Sequence, residues 1–71
     1  MFIIIEMQTS GESTAVVTPI KTEAEYNKAL NKYYNTLAAA AVSTVDVHTV
    51  MLIDEKGETV RVESFDHKAD E

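Results

Sequence analysis

One stretch of helical periodicity, residues 21–42, most constrains what this chain can fold into. Apolar side chains recur there at spacings of three and four, the pattern of an amphipathic helix with one buried face. The stripe consists of Tyr26, Leu30, Tyr33, Leu37 and Ala41, with Ala29 beside it. Thr22 and Glu25 have the spacing of a capping box, which places the start of the helix beside them. The sequence therefore predicts one helix that covers a single apolar surface.

The segment before the helix has the pattern of a β-hairpin. Residues 2–8 are rich in Ile and apolar on both faces, which predicts a central strand. Residues 13–18 form a shorter, more polar strand that ends at Pro19, and this favours a sheet edge because proline cannot donate to a ladder. Gly11 lies between the two strands, where a tight turn requires conformational freedom.

A second hairpin is predicted after the helix. Residues 47–54 and 58–65 are the two strands, and Gly57 supplies the left-handed position of the turn between them. The register that follows from this turn pairs Asp54 with Glu58, Leu52 with Val60, Val50 with Val62 and His48 with Ser64. Met51 and Ile53 then point to the other face of the sheet.

Together these elements predict an α+β fold, a single ββαββ domain over residues 1–65. Both hairpins are antiparallel, and the two most apolar strands, the first and the third, lie in the middle of a four-stranded sheet of order 2-1-3-4. The helix packs on one face of that sheet. Residues 66–71 form a charged tail that we expect to fray.

The face of the sheet that the helix leaves open retains apolar side chains, and a large apolar patch usually marks an interface. A chain of 71 residues buries only about 60% of its unfolded surface, and zero cysteines exclude a disulfide as a staple. We therefore expect a homo-oligomer, most simply a two-fold dimer. The expected interface residues are Phe2, Ile4, Met51, Ile53 and Phe65.

Composition disfavours several classes of function. Without cysteine there is no thiolate zinc site, iron–sulfur cluster or cysteine nucleophile. The net charge of −6 and the six scattered Lys and Arg residues disfavour nucleic-acid binding, which needs clustered cations. We interpret the acidic balance as a source of solubility, with mimicry of a nucleic-acid backbone as the alternative. No apolar run approaches the roughly 20 residues of a membrane helix, and no signal peptide is recognisable, so we expect a cytoplasmic protein.

No catalytic constellation is recognisable, and we expect a protein that is not an enzyme. No serine lies in a Gly-flanked elbow, and turns account for both glycines. His48 and His67 are the only histidines, and no local spacing gathers three or four metal ligands, so no metal or cofactor is expected. We interpret His48 as a strand residue near the helix C-terminus and His67 as a solvated tail residue. A metal-dependent hydrolase at a subunit boundary is the outlying alternative.

The helix tyrosines are the residues best suited to binding. Tyr26 and Tyr33 are a heptad apart on the apolar stripe, which favours a place in the core. Tyr34 lies near the polar boundary of the helix, where its ring can stack on a ligand base or anchor a partner. The candidate binding residues are Tyr34, Asn31, Lys28, Arg61 and His48, and we expect a ligand pocket where subunits meet.

Four segments carry a resemblance to other proteins: residues 2–9, 37–43, 47–52 and 65–67. Their sequences are FIIIEMQT, LAAAAVS, VHTVML and FDH. Together they resemble a group of short acidic proteins of phages and prophage-like elements in gut Firmicutes. The similarity covers nearly the whole chain by general pattern rather than by a diagnostic motif. The group has no assigned activity, so the resemblance implies an accessory protein of a mobile element and transfers no functional residue.

Two functional hypotheses follow. The first is a non-catalytic protein that counters a host defence by binding a host protein or a host ligand, for example a nucleotide signalling molecule at subunit interfaces. An anionic nucleotide needs local positive charge, which only Lys21, Lys28, Lys32 and Arg61 supply. The second is a structural or adaptor module that binds another protein through its open sheet face or its edge strands, without a small-molecule ligand.

Overall fold

A computed structural model describes residues 1–67 as one antiparallel sheet with a helix packed on it. The elements are β1 (Phe2–Ser10), β2 (Ser13–Val16), β3 (Lys21–Glu23), α1 (Tyr26–Ala41), β4 (Val47–Asp54) and β5 (Thr59–Asp66). The predicted α+β class, with one helix on an antiparallel sheet, is confirmed. The predicted frayed tail falls mostly on residues 68–71, which lie outside the described residues.

The sheet has five strands rather than the predicted four. Its path is β2-β1-β4-β5, and the short strand β3 also pairs with β1. β2 pairs with residues 7–10 of β1 and β3 pairs with residues 2–4, so the two short strands are parts of one interrupted edge strand. The predicted four-stranded sheet of order 2-1-3-4 is corrected by the addition of β3, because residues 21–23 extend along β1 instead of opening the helix; the four predicted strands keep their neighbours as β2-β1-β4-β5.

The helix begins at Tyr26, later than the sequence predicts. Its N-cap is Glu25, which is extended and makes no side-chain capping hydrogen bond. The predicted capping box is wrong because Thr22 lies in β3, opposite Ile3. Lys32 ties the helix to β3 instead, since its Nζ donates to the Thr22 carbonyl at 3.1 Å and forms an ion pair with Glu23 at 3.0 Å. The hydrogen bond that Lys32 donates to the Glu23 carboxylate is the main reason why the pKa of Glu23 is lowered.

The core lies between α1 and one face of the sheet. Its fully buried residues are Ile4, Val50 and Leu52 from the sheet and Ala29, Tyr33 and Ala40 from the helix. On the helix the most buried stripe therefore runs through alanines and Thr36 as well as Tyr33, whereas the sequence predicts one centred on Leu30 and Leu37. The small side chains of Ala29 and Ala40 allow the helix to approach the sheet closely. Burial is also the main reason why the pKa of Tyr33 is raised, with the Glu63 carboxylate adding to it.

The pairing of β1 with β4 fixes which side chains the helix covers. Ile4 lies opposite Leu52, and both are buried under the helix. Three residues expected at the open face, Phe2, Ile4 and Phe65, are therefore on the helix side. Phe2 packs on Tyr26 with ring centroids 5.5 Å apart, and Phe65 packs against the core. The face assignment of Phe2 and Ile4 is wrong because β1 is apolar on both faces, which leaves its orientation undetermined by pattern. The assignment of Phe65 is wrong because a bulge in β5 turns it to the helix side.

A β-bulge in β5 changes the register of the second hairpin. Gly57 has a positive φ of 85°, as the turn predicts, but Val60 is an extra residue between Thr59, which lies opposite Ile53, and Arg61, which lies opposite Leu52. The predicted partners of Leu52, Val50 and His48 are therefore wrong, and the observed ones are Arg61, Glu63 and Phe65. Beyond the bulge, side chains that the sequence places on one face of β5 lie on the other.

We call the uncovered side of the sheet the open face. Its apolar residues are Ile3, Ile5, Met7, Val16, Val47, Met51, Ile53 and Val62. Threonine and serine side chains lie among them, for example Thr9, Thr49 and Ser64. Among the described strand residues, Asp66 at one corner is the only charged residue on this face. Side chains alternate between the two faces of a strand, and the other charged strand residues point to the helix side.

Adjacent isoleucines of β1 give a matched test of the face assignment. We expect Ile4→Ala to lower the free energy of unfolding by about 2–5 kcal/mol, because it opens a cavity in the core. Ile5→Ala, on the open face, should cost much less. Urea unfolding followed by circular dichroism measures both, at a protein concentration low enough to keep the chain monomeric. Equal costs would contradict the assignment.

Candidate functional site

A pocket forms on the helix side of the sheet where the edge strand is interrupted. Residues 17–20 leave the sheet between β2 and β3. At the start of this segment the Val17 N–H donates to the Glu6 carbonyl at 2.8 Å. The Thr18–Pro19 peptide bond within this excursion is cis. The pocket has a volume of about 150 Å³ and is lined by Ile4, Glu6, Val17, Thr18, Pro19, Lys21 and Thr36. Its polar residues are missing from the predicted binding set, and the only sequence signal for the pocket is the strand break at Pro19.

Lys21 and Thr36 form one polar wall of the pocket. The Lys21 Nζ donates to Thr36 Oγ1 at 3.2 Å, and the Thr36 hydroxyl donates to the Lys32 carbonyl at 2.8 Å. Thr36 is buried, so its hydroxyl is held in place. Within residues 1–67, Lys21 has no carboxylate within ion-pair distance. Its ammonium therefore retains protons that an acceptor in the pocket can use.

Glu6 forms a second polar wall of the pocket and begins a network of hydrogen bonds to His48 and Ser43. Its Oε2 is 2.5 Å from His48 Nε2, and His48 Nδ1 is 2.8 Å from Ser43 Oγ. His48 is 3% exposed and the Glu6 side chain 20% exposed. This hydrogen-bond network connects β1, β4 and the segment after α1, so it fixes the Glu6 carboxylate at the rim of the pocket. His48 is thus a strand residue near the helix C-terminus whose partners the sequence does not reveal.

Ser43, His48 and Glu6 are connected in the same sequence as the residues of a serine-hydrolase triad, but the surroundings of Ser43 do not suit that chemistry. Ser43 follows the C-cap residue Val42, and its N–H donates to the Ala40 carbonyl at 3.3 Å. Carbonyl groups and the negative end of the helix dipole destabilise an oxyanion at this position. The pocket, moreover, lies at the Glu6 end of the network. We therefore interpret the hydrogen bonds among Ser43, His48 and Glu6 as a network that orients the Glu6 carboxylate.

The structure brings together two of the five predicted binding residues. Arg61 lies on β5 near Tyr34 of α1, and its interaction with the Tyr34 hydroxyl is the main reason why the pKa of Arg61 is raised. The Arg61 guanidinium also donates to the Val60 carbonyl at 3.3 Å. Tyr34 is exposed, and its ring meets that of Tyr33 edge to face at 5.3 Å. The other three residues have different partners. Asn31 accepts a hydrogen bond from the Asn35 side chain, Lys28 forms an ion pair with Glu25, and His48 is buried beside Glu6.

His67 differs from the solvated tail residue that the sequence predicts. Its Nε2–H donates to the Ala40 carbonyl at 3.0 Å, and its backbone N–H donates to the Asp46 carbonyl at 2.8 Å. Its ring also stacks on Phe65 at 6.2 Å. His67 therefore provides a second donor, beside the Ser43 N–H, to a carbonyl at the end of α1. With Asp66 in β5, the ordered domain extends beyond the predicted boundary at residue 65.

None of the helical segments in the described structure has the length and apolar character to cross a membrane.

Residues 1–67 contain no group of three or more His, Asp or Glu side chains placed to hold a metal ion. The expectation that no metal or cofactor is bound stays a prediction.

Comparisons with protein-family models, with curated proteins and with solved structures find no match for this chain.

The Glu6–His48 contact can be measured by a double-mutant cycle. We expect His48→Ala to lower the free energy of unfolding by about 2–3 kcal/mol, since it removes the buried partner of both Glu6 and Ser43. Combined with Glu6→Ala, it should show a coupling energy of about 0.5–3 kcal/mol in chemical denaturation. His67→Ala is the control: it should cost about 1 kcal/mol and add to Glu6→Ala without coupling. If the losses in unfolding free energy for the Glu6 and His48 substitutions were simply additive, this result would contradict the proposed hydrogen bond between the two residues.

Proposed function

We propose that this chain is a non-catalytic binding module that works as a two-fold dimer, joined through the open face of its sheet. The observation that carries the proposal is the segregation of charge between the two sides of the sheet. The open face presents a continuous apolar surface with one charged corner among its described residues, in a chain of which 25% is charged. Patches of this kind usually mark an interface.

The size of the open face suits a second copy of the chain. The described residues extend over 39 × 20 × 19 Å, so a face spanned by the two larger dimensions has a flat area of about 780 Å². A stable interface of standard size buries about 800 Å² on each partner. Nearly the whole open face would therefore be used in such a dimer.

Charge complementarity favours the same partner. The chain has a net charge of −6, so most of its surface repels another copy. An apolar face with a single charged corner is instead complementary to itself, as the isologous contact of a two-fold dimer requires. Glu6, Glu63 and Arg61 lie on the helix side, so pairing of the open faces does not bring these charges together.

A dimer of this kind presents its two helix sides outwards, and the further partner is recognised there. In the context that the phage resemblance implies, that partner is a host protein or a host ligand, and the protein acts in the cytoplasm of the host cell. Adjacency of Tyr34 and Arg61 favours a nucleotide as a second candidate. A tyrosine ring can stack on a base while a guanidinium binds phosphate.

Two exposed valines give a matched test of the dimer. Val62 lies on the open face and Val42 follows the helix, and they are 54% and 81% exposed. We expect Val62→Lys to convert a dimer into a folded monomer, because it places a charge in the apolar interface. Val42→Lys adds the same charge elsewhere and should remain dimeric. Sedimentation velocity gives the mass of each form, and circular dichroism shows that each is folded.

Either of two results would overturn the dimer. One is a wild-type chain that stays monomeric at micromolar and millimolar concentrations. The other is an unchanged dimer in both Val62→Lys and Met51→Lys, since Met51 lies opposite Val62 on the same face. In that second case the interface lies elsewhere on the chain.

The nucleotide candidate has a separate test. We expect at least one of a panel of cyclic mono- and dinucleotides to raise the melting temperature of the wild-type protein. Arg61→Met should abolish that increase because it removes the cation beside Tyr34. Lys56→Met, in the β4–β5 turn, is the control that also removes one positive charge. An unchanged melting temperature with every member of the panel would exclude the nucleotide and leave the dimer proposal standing.

A further inference from the structure

We infer that the pocket at the interrupted edge binds a small zwitterion, a free amino acid whose carboxylate meets Lys21 and whose ammonium meets Glu6. This site lies on the helix side of the sheet, away from the open face. The inference therefore extends beyond the dimer and does not depend on it.

Two opposite charges face the same pocket without pairing with each other. Lys21 and Glu6 both line it, yet their charged atoms are not within the 4.0 Å of an ion pair. Each is held by another neighbour, Lys21 by Thr36 and Glu6 by His48. A molecule that carries both charges can satisfy the two residues at once. A ligand with one charge satisfies only one of them.

The two polar walls are already oriented before a ligand arrives. His48 holds one oxygen of the Glu6 carboxylate, Oε2, and is itself held by Ser43. The Thr36 hydroxyl accepts a hydrogen bond from the Lys21 ammonium and is itself fixed by the hydrogen bond that it donates to the Lys32 carbonyl. Fixed polar groups in an otherwise apolar pocket are the usual source of orientation and specificity in small-molecule sites. Such preorganisation lowers the entropy that binding costs.

The volume of the pocket restricts the ligand to a small molecule. About 150 Å³ corresponds to roughly five water molecules at about 30 Å³ each. Sites for drug-sized ligands start at about 300 Å³, so a nucleotide does not fit here. Ile4, Val17 and Pro19 line the remainder of the pocket and suit a short aliphatic side chain. Alanine has the charges and the size that this site accepts.

The test is a titration of the ¹⁵N-labelled protein with alanine, followed by NMR, beside titrations with acetate and with methylammonium. Each of these two controls carries only one of the two charges. We expect alanine to shift the backbone amides of Val17 and Lys21 and to bind more tightly than either control. Amide shifts for alanine no larger than those for acetate would overturn the zwitterion, and no shift with alanine would overturn the site.

Two variants separate the roles of the charged residues. Lys21→Met should weaken alanine binding by about tenfold or more, because the carboxylate loses a charged hydrogen-bond donor. Lys56→Met removes the same charge in the distant turn and should leave the affinity unchanged. Glu6→Gln keeps a hydrogen-bond acceptor for His48 and should weaken the binding of alanine but not that of acetate. Equal losses for Lys21→Met and Lys56→Met, or an unchanged alanine affinity in Glu6→Gln, would overturn the assignment.

Discussion

Strand β1 uses both of its hydrogen-bonding edges, and the other features of the structure depend on this. One edge pairs with β4 along residues 2–9, and the other is divided between β2 and β3. Because side chains alternate along a strand, burying Ile4 under the helix also places Glu6 on the helix side and Ile5 on the open face. The orientation of one strand therefore determines the core, one wall of the pocket and the apolar surface on the opposite side.

The sequence predicts the elements of this fold better than it predicts their faces. Helical spacing and turn glycines identify α1 and both hairpins, since these are local signals. The run Phe2–Ile5 is apolar in both orientations, so only packing against α1 can select one, and that packing uses the small residues Ala29 and Ala40. The bulge at Val60 has a similar cause: plain alternation turns Val62 inwards, whereas the bulge turns the larger side chain of Phe65 towards the core.

The site is harder to predict than the fold because its residues come from distant parts of the chain. Glu6 and His48 are 42 positions apart and meet only because β1 and β4 are neighbours. Lys21 reaches the pocket because β3 resumes pairing after the excursion at residues 17–20, whereas the local pattern ends the strand at Pro19 and begins the helix at Lys21. Tyr34 and Arg61 were predicted together from their chemistry, and their contact depends on the bulge, which turns Arg61 to the helix side.

Segregation of charge also explains how an acidic chain can associate with itself. Packed sheets lie about 10 Å apart, and the helix-side carboxylates of two copies that meet at their open faces project away from one another, so these carboxylates are more than about 10 Å apart. That separation exceeds the Debye length of about 8 Å at physiological ionic strength, so salt screens most of the repulsion. The best-placed helix-side acids are also engaged locally, Glu6 by His48 and Glu23 by Lys32.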